Sequence, residues 1–286
     1  MTNATQIFYD QLEAEVLEAG KHLGPTHSAY LKQYYSKLLK SSLRPFYRYN
    51  WVRRTEPMRQ LILSLPRRNT PWRILDAGCG LGTESIFWST LRDDVEVVGV
   101  DVSTERLETA QARLETYQKQ RGKTLNVRFI EENIFKILDM QQFDLVWTME
   151  AISHIDPAER FMQHVFENFN PHGHLVISDS HILNPAMAWR IVKMRRRGVV
   201  EHTQKTTNAG EIILYAQERL FSVTHLVTLL KDVGFSSVES QLSIFFPAHM
   251  ALYKNIFPLC KQLDRLLDRF PGIRNLGGIY TVTAGK

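Results

Sequence analysis

Two periodicities divide the chain near residue 65. Up to that point, apolar and aromatic residues such as Leu12, Val16, Tyr30, Tyr34, Leu38 and Phe46 recur at spacings of three or four, broken at Gly24-Pro25 and Pro45. That spacing predicts an accessory region of helices over residues 1–65. From about residue 70 short β-branched runs alternate with amphipathic stretches, the mark of a parallel sheet covered by helices. Residues 66–286 are therefore expected to form one α/β domain, with a helical insertion at about 182–220.

The units of that domain follow in order. "RILD" (73–76), "VEVVGVD" (95–101), "NVRFIE" (126–131), "FDLVWTM" (143–149) and "HLVIS" (174–178) predict five buried strands. Between them lie helices through Ile86, Trp88 and Leu91, then through Leu107, Ala110, Leu114 and Tyr117, the latter capped by Ser103. Asp156 as N-cap, Pro157 at the first helical position and Glu159 beyond it signal a third helix carrying Met162, Val165, Phe166 and Phe169. "NPHG" (170–173) predicts a turn. The insertion is expected to be helical up to Gly198 and then a polar loop, "EHTQKTTNAGE". A helix from Ser222 to Gly234, a strand near 238–246, a helix around 250–270 and a last strand "IYTVTA" (279–284) complete the series.

Composition narrows the class. With 286 residues and 44% apolar content the chain can bury a full-sized core, so disorder is not the expectation. Two cysteines, Cys79 and Cys260, cannot build a disulfide framework and have no neighbours at metal-ligand spacing, which fits a reducing, cytoplasmic setting with no metal centre. No stretch approaches the ~20 apolar residues of a membrane span. The net charge of +5, from 35 basic and 30 acidic side chains, is too mild for a dedicated nucleic-acid binder. The excess is concentrated in "RIVKMRRRG" (190–198), which reads either as the solvated end of a helix or as a patch for an anionic substrate or membrane surface.

The chemistry is concentrated in "ILDAGCGLGTESI" (74–86), where Gly78, Gly80 and Gly82 follow an aspartate that ends a strand. In an open α/β sheet this first strand-to-helix turn faces the ligand crevice, and bare backbone there lets a ligand approach closely. Dinucleotides use G-x-G-x-x-G, but Thr83 stands where that pattern needs its third glycine. S-adenosylmethionine (SAM) sites use D-x-G-x-G-x-G, which Asp76, Gly78, Gly80 and Gly82 match throughout. Asp101, 19 residues after Gly82 at the end of the second strand, suits a ribose diol in either class.

With DAGCGLG, GVD, FDLVW, the "FSVTHLVTLLKDVGF" unit (221–235) and the terminal "GIYTVTAGK", the stretch from about 50 to 286 resembles class I SAM-dependent methyltransferases, of the group acting mostly on small molecules. The resemblance implies a Rossmann-like, doubly wound, seven-stranded and mostly parallel sheet with an antiparallel last strand, and an N-terminal helical lid. It implies SAM as cofactor and S-adenosylhomocysteine as product. Gly78, Gly80 and Gly82 would approach the methionine part and Asp76 hold its amino group. Asp101 would bind the ribose and Val102 pack on the adenine, Asn133 and Ile134 would meet the adenine, and Thr148 and Met149 would line the methionine side.

Methyl transfer from a sulfonium needs positioning, exclusion of water and, for a protonated acceptor, a base. Glu150 and His154 lie four apart just after the fourth strand and would share a face were that segment helical; His181, beside Asp179, is a further candidate. Aromatic residues of the N-terminal helices (Tyr30, Tyr34, Tyr35, Tyr47, Tyr49, Trp51) and Met187, Trp189 and Met194 of the insertion are expected to wall an acceptor pocket suited to a small, partly hydrophobic or anionic molecule. Thr148-Met149-Glu150-Ala151 lacks the Asn/Asp-Pro-Pro-aromatic tetrad of nucleic-acid amino methylases, which argues against a nucleic-acid partner while leaving RNA base or ribose methylation as an alternative. Other SAM chemistries on the same fold, such as cyclisation or aminocarboxypropyl transfer, remain alternatives, and so does an NAD-dependent reductase. The sequence carries no signal for oligomeric state.

Overall fold

The computed structural model describes residues 5–11, 41–196, 202–206, 212–216 and 219–286. A long helix, α1 (Arg44–Ser64), precedes β1 (Trp72–Ala77), α2 (Thr83–Leu91), β2 (Val95–Asp101), α3 (Thr104–Arg121), β3 (Val127–Glu131), α4 (Ile134–Met140) and β4 (Phe143–Met149). After these come α5 (Ala158–Glu167), β5 (Phe169–Ser180), α6 (Pro185–Arg196), β6 (His202–Thr206) and β7 (Ile212–Ala216). The chain finishes with α7 (Val223–Val233), β8 (Ser237–Ser243), α8 (Phe257–Leu267), α9 (Pro271–Arg274) and β9 (Ile279–Gly285).

Seven strands form one sheet in the order β3-β2-β1-β4-β5-β9-β8. β1 to β5 run parallel, and β9 is antiparallel to both its neighbours. This is the Rossmann-like sheet anticipated above. The order reverses between β1 and β4, so the carboxyl ends of these two strands open the crevice where ligands of such sheets sit.

Alternate strand residues supply two cores. On one face Leu75, Val98, Val146 and Ile177 pack under α5 and α7, through Phe161, Val165, Leu226 and Leu230. On the other, Ile74, Val97, Leu145, Trp147 and Val176 pack under α1, α2 and α3, through Met58, Ile62, Phe87, Trp88 and Leu114. Helix α1 is therefore more than a lid: it closes one face of the sheet, and Met58 and Ile62 are fully buried. The linker after it is fastened where Arg68 donates to the buried carboxylate of Asp144, which also accepts from the Arg73 N–H at 2.7 Å and Asn170 at 2.9 Å.

Local departures from the expected elements have readable causes. Pro157 is the N-cap of α5, one position later than the sequence signal placed the start, because its extended backbone (ψ 133°) lies outside the helix. "NPHG" is no separate turn: β5 runs through it, with the irregularity absorbed by a register shift opposite Phe143/Leu145 and by His172 at φ 66°. Much of the stretch expected to be a loop after α6 pairs as the antiparallel hairpin β6-β7, where Thr203 and Lys205 face Tyr215 and Ile213. Gly198, the expected helix cap, lies outside the described residues, as do Leu12, Val16, Tyr30, Tyr34, Tyr35 and Leu38. The helix expected over 250–270 is divided into a 3₁₀ turn (Ala248–Leu252), α8 and α9.

Leu75 is fully buried in the middle of β1. Leu75→Ala is expected to lower the unfolding free energy by about 2–5 kcal/mol, with the denaturant slope unchanged, in urea titrations.

Candidate functional site

The turn after β1 is built by glycines in conformations that other residues rarely adopt. Gly78, Gly80 and Gly82 all have positive φ (76°, 52° and 69°). At Gly78 a Cβ would fall 2.5 Å from the Cβ of Ala151, so this glycine lets the β1 turn touch the segment following β4. At Gly80 a Cβ would meet nothing within 4 Å. Its absence is not a packing demand, and the left-handed turn there leaves a face of bare backbone open to a ligand. From behind, the buried Arg113 of α3 steadies the loop, donating to the Leu81 carbonyl at 2.7 Å and the Thr83 hydroxyl at 2.8 Å.

Three acids lie around the turn, with Arg113 behind it and Arg106 3.7 Å from Asp101 as nearby cations. Asp76, Glu84 and Asp101 are all buried, Asp76 to 2% exposure. Asp76 accepts from the Ser85 hydroxyl at 2.5 Å, and Glu84 from the Trp51 indole N–H of α1 at 2.7 Å. The Asp101 carboxylate accepts one backbone N–H on each oxygen, Gly80 and Ser103, both at 3.0 Å. Those bonds leave it lone pairs for two further donors. Desolvation, then the proximity of Glu84 and Asp101, pushes the Asp76 carboxyl up to about 8. Glu84 is raised as well, chiefly by burial. Such a set of buried carboxyl groups, with Asp101 offering acceptor oxygens, suits a ligand that brings positive charge and hydroxyl donors. SAM, with its ammonium, sulfonium and ribose diol, fits.

The segment after β4 is a turn, not the helix that would have put Glu150 and His154 on one face. Its N–H groups of His154 and Ile155 both return to the Ala151 carbonyl, and Glu150 stands at φ 53°, in the left-handed region. Arg54, reaching from α1, holds Glu150 in place. Its guanidinium donates to Glu150 Oε1 at 2.5 Å and to both the hydroxyl and the carbonyl of Ser178 on β5, each at 3.0 Å. Arg54 is 3% exposed whereas the Glu150 side chain is 63% exposed, so the pair runs from the core to the open side of the crevice.

The remaining anticipated residues distribute as follows. Thr148 is fully buried at the end of β4, and its hydroxyl has no partner among the described residues. Met149 packs at the margin of the core formed by α1 and α2. Val102 is half-buried. Asn133 caps α4, accepting from the Phe135 N–H at 3.0 Å, and Ile134 packs on the core beneath. His181 is enclosed, with Nδ1 3.2 Å from the Gly277 carbonyl and its ring edge-on to Tyr280; burial lowers its basicity.

Two aromatics read as pocket wall are structural fasteners: Trp51 serves Glu84, and the Tyr49 hydroxyl donates to the buried Asp264 at 2.7 Å. Trp189 is 66% exposed, and the side chains of Met187 and Met194 lie outside the described residues. Arg54, Glu84 and Ser178 escaped the sequence reading. The available signal was a doubled arginine, Arg53-Arg54, on the helix that precedes the glycine motif.

The raised Asp76 carboxyl has a thermodynamic sign. The unfolded chain ionises this group near pH 4, whereas the fold holds its proton up to about pH 8. Between those values the fold binds more protons than the unfolded chain, so Asp76's contribution to stability falls as pH rises. Asp76→Asn is expected to remove that decline: in urea unfolding from pH 5 to pH 8, wild type loses stability relative to the variant. A pH-independent difference between the two would contradict the assignment.

A profile of the methyltransferase domain family matches residues 70–219, just over half of the chain. An erythromycin 3''-O-methyltransferase of Saccharopolyspora erythraea is 31% identical over 107 residues, 37% of this chain and 34% of that one. A carboxy-S-adenosyl-L-methionine synthase of Desulfotalea psychrophila is 28% identical over 191 residues, covering 63% of this chain and 74% of that one. Among solved structures, an S-adenosylmethionine-dependent methyltransferase from Mesorhizobium loti aligns with 81% of this chain and 97% of its own at 19% identity, with a TM-score of 0.46. The match thus spans about a third of the length of the first relative and about three quarters of the second. With its glycine turn, its acids and its sheet order all in place, the chain belongs to the methyltransferase domain family, within the class I SAM-dependent superfamily.

Proposed function

We propose that the protein transfers the methyl group of SAM to a small-molecule acceptor, partly hydrophobic or anionic, in a site closed on one side by α1. The observation that carries this reading is the acid-lined glycine turn: Asp76, Glu84 and Asp101 surround bare backbone with no basic side chain in the turn itself to meet a phosphate. Bound there, SAM supplies an electrophilic sulfonium methyl group. The bare backbone at Gly78 to Gly82 would admit its methionyl part, with Asp76 near the amino group. Asp101 would take the ribose hydroxyls on its free lone pairs, and Val102, Asn133 and Ile134 would border the adenine. Thr148 and Met149 would flank the methionyl side, where the unpartnered Thr148 hydroxyl has a bond to give.

The chain's own part in the chemistry is to position, to shield and to take a proton. Arg54 and Trp51 draw α1 onto the ends of β1, β4 and β5, which excludes water from that side. Glu150 is the group we assign to the acceptor's proton. It combines an exposed carboxylate with a backbone in the left-handed region, and such strain gathers at functional sites. His154, in the same turn, is the second candidate; enclosure within the fold makes His181 the third. The similarity to an O-methyltransferase supports an oxygen acceptor.

A second reading keeps SAM but makes it the molecule modified. The similarity to a carboxy-S-adenosyl-L-methionine synthase, which spans more of this chain than the first relative does, favours it specifically. Mass spectrometry of the protein turning over SAM in a metabolite extract separates the two. S-adenosylhomocysteine with a product heavier than its precursor by a methyl group in place of hydrogen is the expected outcome. A heavier SAM derivative without S-adenosylhomocysteine would support the second reading, and methylthioadenosine would point to transfer of another part of SAM.

Asp101→Ala is expected to weaken SAM binding about tenfold or more in titration calorimetry, since it removes up to two charge-assisted hydrogen bonds of about 1.5–3 kcal/mol each. Unchanged affinity would mean that the ribose is held elsewhere.

A further inference from the structure

The segment between β8 and β9, residues 244–278, lies at the far edge of the sheet and carries apolar side chains on two sides. Inward, Phe257 and Cys260 of α8 pack with Ala251 against Phe46 and Tyr49 of α1. Outward, Leu259 and Leu266, seven apart and so on one helical face, are 54% and 45% exposed. Phe270 and Ile273 extend that apolar surface into α9 at 48% and 43% exposure, and Ile256 extends it in the other direction. A surface helix normally carries a single apolar stripe, and the core has already taken this one's inner face. Apolar side chains exposed together on a helix whose other face is already packed are candidates for a binding face.

The charges around it say what the face meets. Lys254, Arg265 and Arg269 are the exposed charged side chains of residues 244–278, and all are basic. The segment's two acids are turned inward and engaged. Asp264 is buried and accepts from Tyr49 and from the Phe245 N–H; Asp268 accepts from the Leu242 N–H and pairs with Arg274. Two copies of the chain meeting through this face would bring like charges together with no exposed acid of the segment to offset them. An anionic bilayer offers both things the face asks for: acyl chains for the leucines and phenylalanine, and headgroups for the flanking cations. Among the described residues no helix is long and apolar enough to cross a membrane.

We infer that residues 252–273 dock the protein on the surface of an anionic membrane, with α8 lying in the interface. This inference is independent of the acceptor's identity and of the methyl-transfer reading, because it uses no residue of the glycine turn or of the segment after β4.

The test is co-sedimentation of the full chain with phosphatidylcholine vesicles, with and without phosphatidylglycerol, for wild type and two variants. Wild type is expected to pellet with the phosphatidylglycerol vesicles and to remain in solution with pure phosphatidylcholine. Leu266→Glu with Phe270→Glu should weaken binding about tenfold or more, since it places charge where acyl chains would lie. It should leave the circular dichroism spectrum unchanged, because both side chains are about half exposed and lie outside the buried core. Arg265→Gln with Arg269→Gln should weaken binding and flatten its dependence on salt. Failure of wild type to pellet with either vesicle overturns the inference. So does a dimer in analytical ultracentrifugation that Leu266→Glu dissociates, since the face would then belong to a second copy.

Discussion

Three carboxylates buried at one end of a parallel sheet are the constraint on which the site depends. Asp76 ends β1, Asp101 ends β2 and Glu84 opens α2, and each is almost sealed from water. Burying like charges together is costly, and the fold answers in three ways: a proton retained on Asp76, hydroxyl and indole donors from Ser85 and Trp51, and two backbone N–H groups on Asp101. A cationic ligand completes that answer. The same acids would favour the positively charged SAM.

Helix α1 joins this electrostatic arrangement to the packing. Met58 and Ile62 place it in the core, while Trp51 and Arg54, on its crevice-facing side, bond to Glu84, Glu150 and Ser178. At its N-terminal end the Tyr49 hydroxyl ties it to Asp264 of α8. One helix thus connects the glycine turn, the segment after β4 and the C-terminal helices. Rearrangement of α1 would reach all three together, through bonds that are individually modest but share one rigid element.

The sheet was legible because its strands are continuous apolar runs and its helices have clear ends: β2 and β4 fall on the stretches expected, and Ser222 and Gly234 bound α7 as read. The cofactor turn was legible for a covalent reason, since positive φ at three nearby positions strongly favours glycine and so leaves a mark in the sequence. What escaped was tertiary. Nothing adjacent in the chain links Arg54 to Glu150, 96 residues on, or Trp51 to Glu84. An arginine on a helix reads as surface until the fold buries it. The β6-β7 hairpin was missed because "EHTQKT" is polar, and its pairing is set by the partner strand more than by its own composition.

The central claim is that the acid-lined turn is the seat of SAM's charged and ribosyl portions. A crystal structure of the protein with S-adenosylhomocysteine tests it most directly. The account places the ribose hydroxyls on Asp101, the amino group beside Asp76, and the backbone of Gly80 against the ligand with no side chain between. A nucleoside bound away from Asp101, or a ligand-bearing crevice with α1 displaced and Trp51 parted from Glu84, would contradict it.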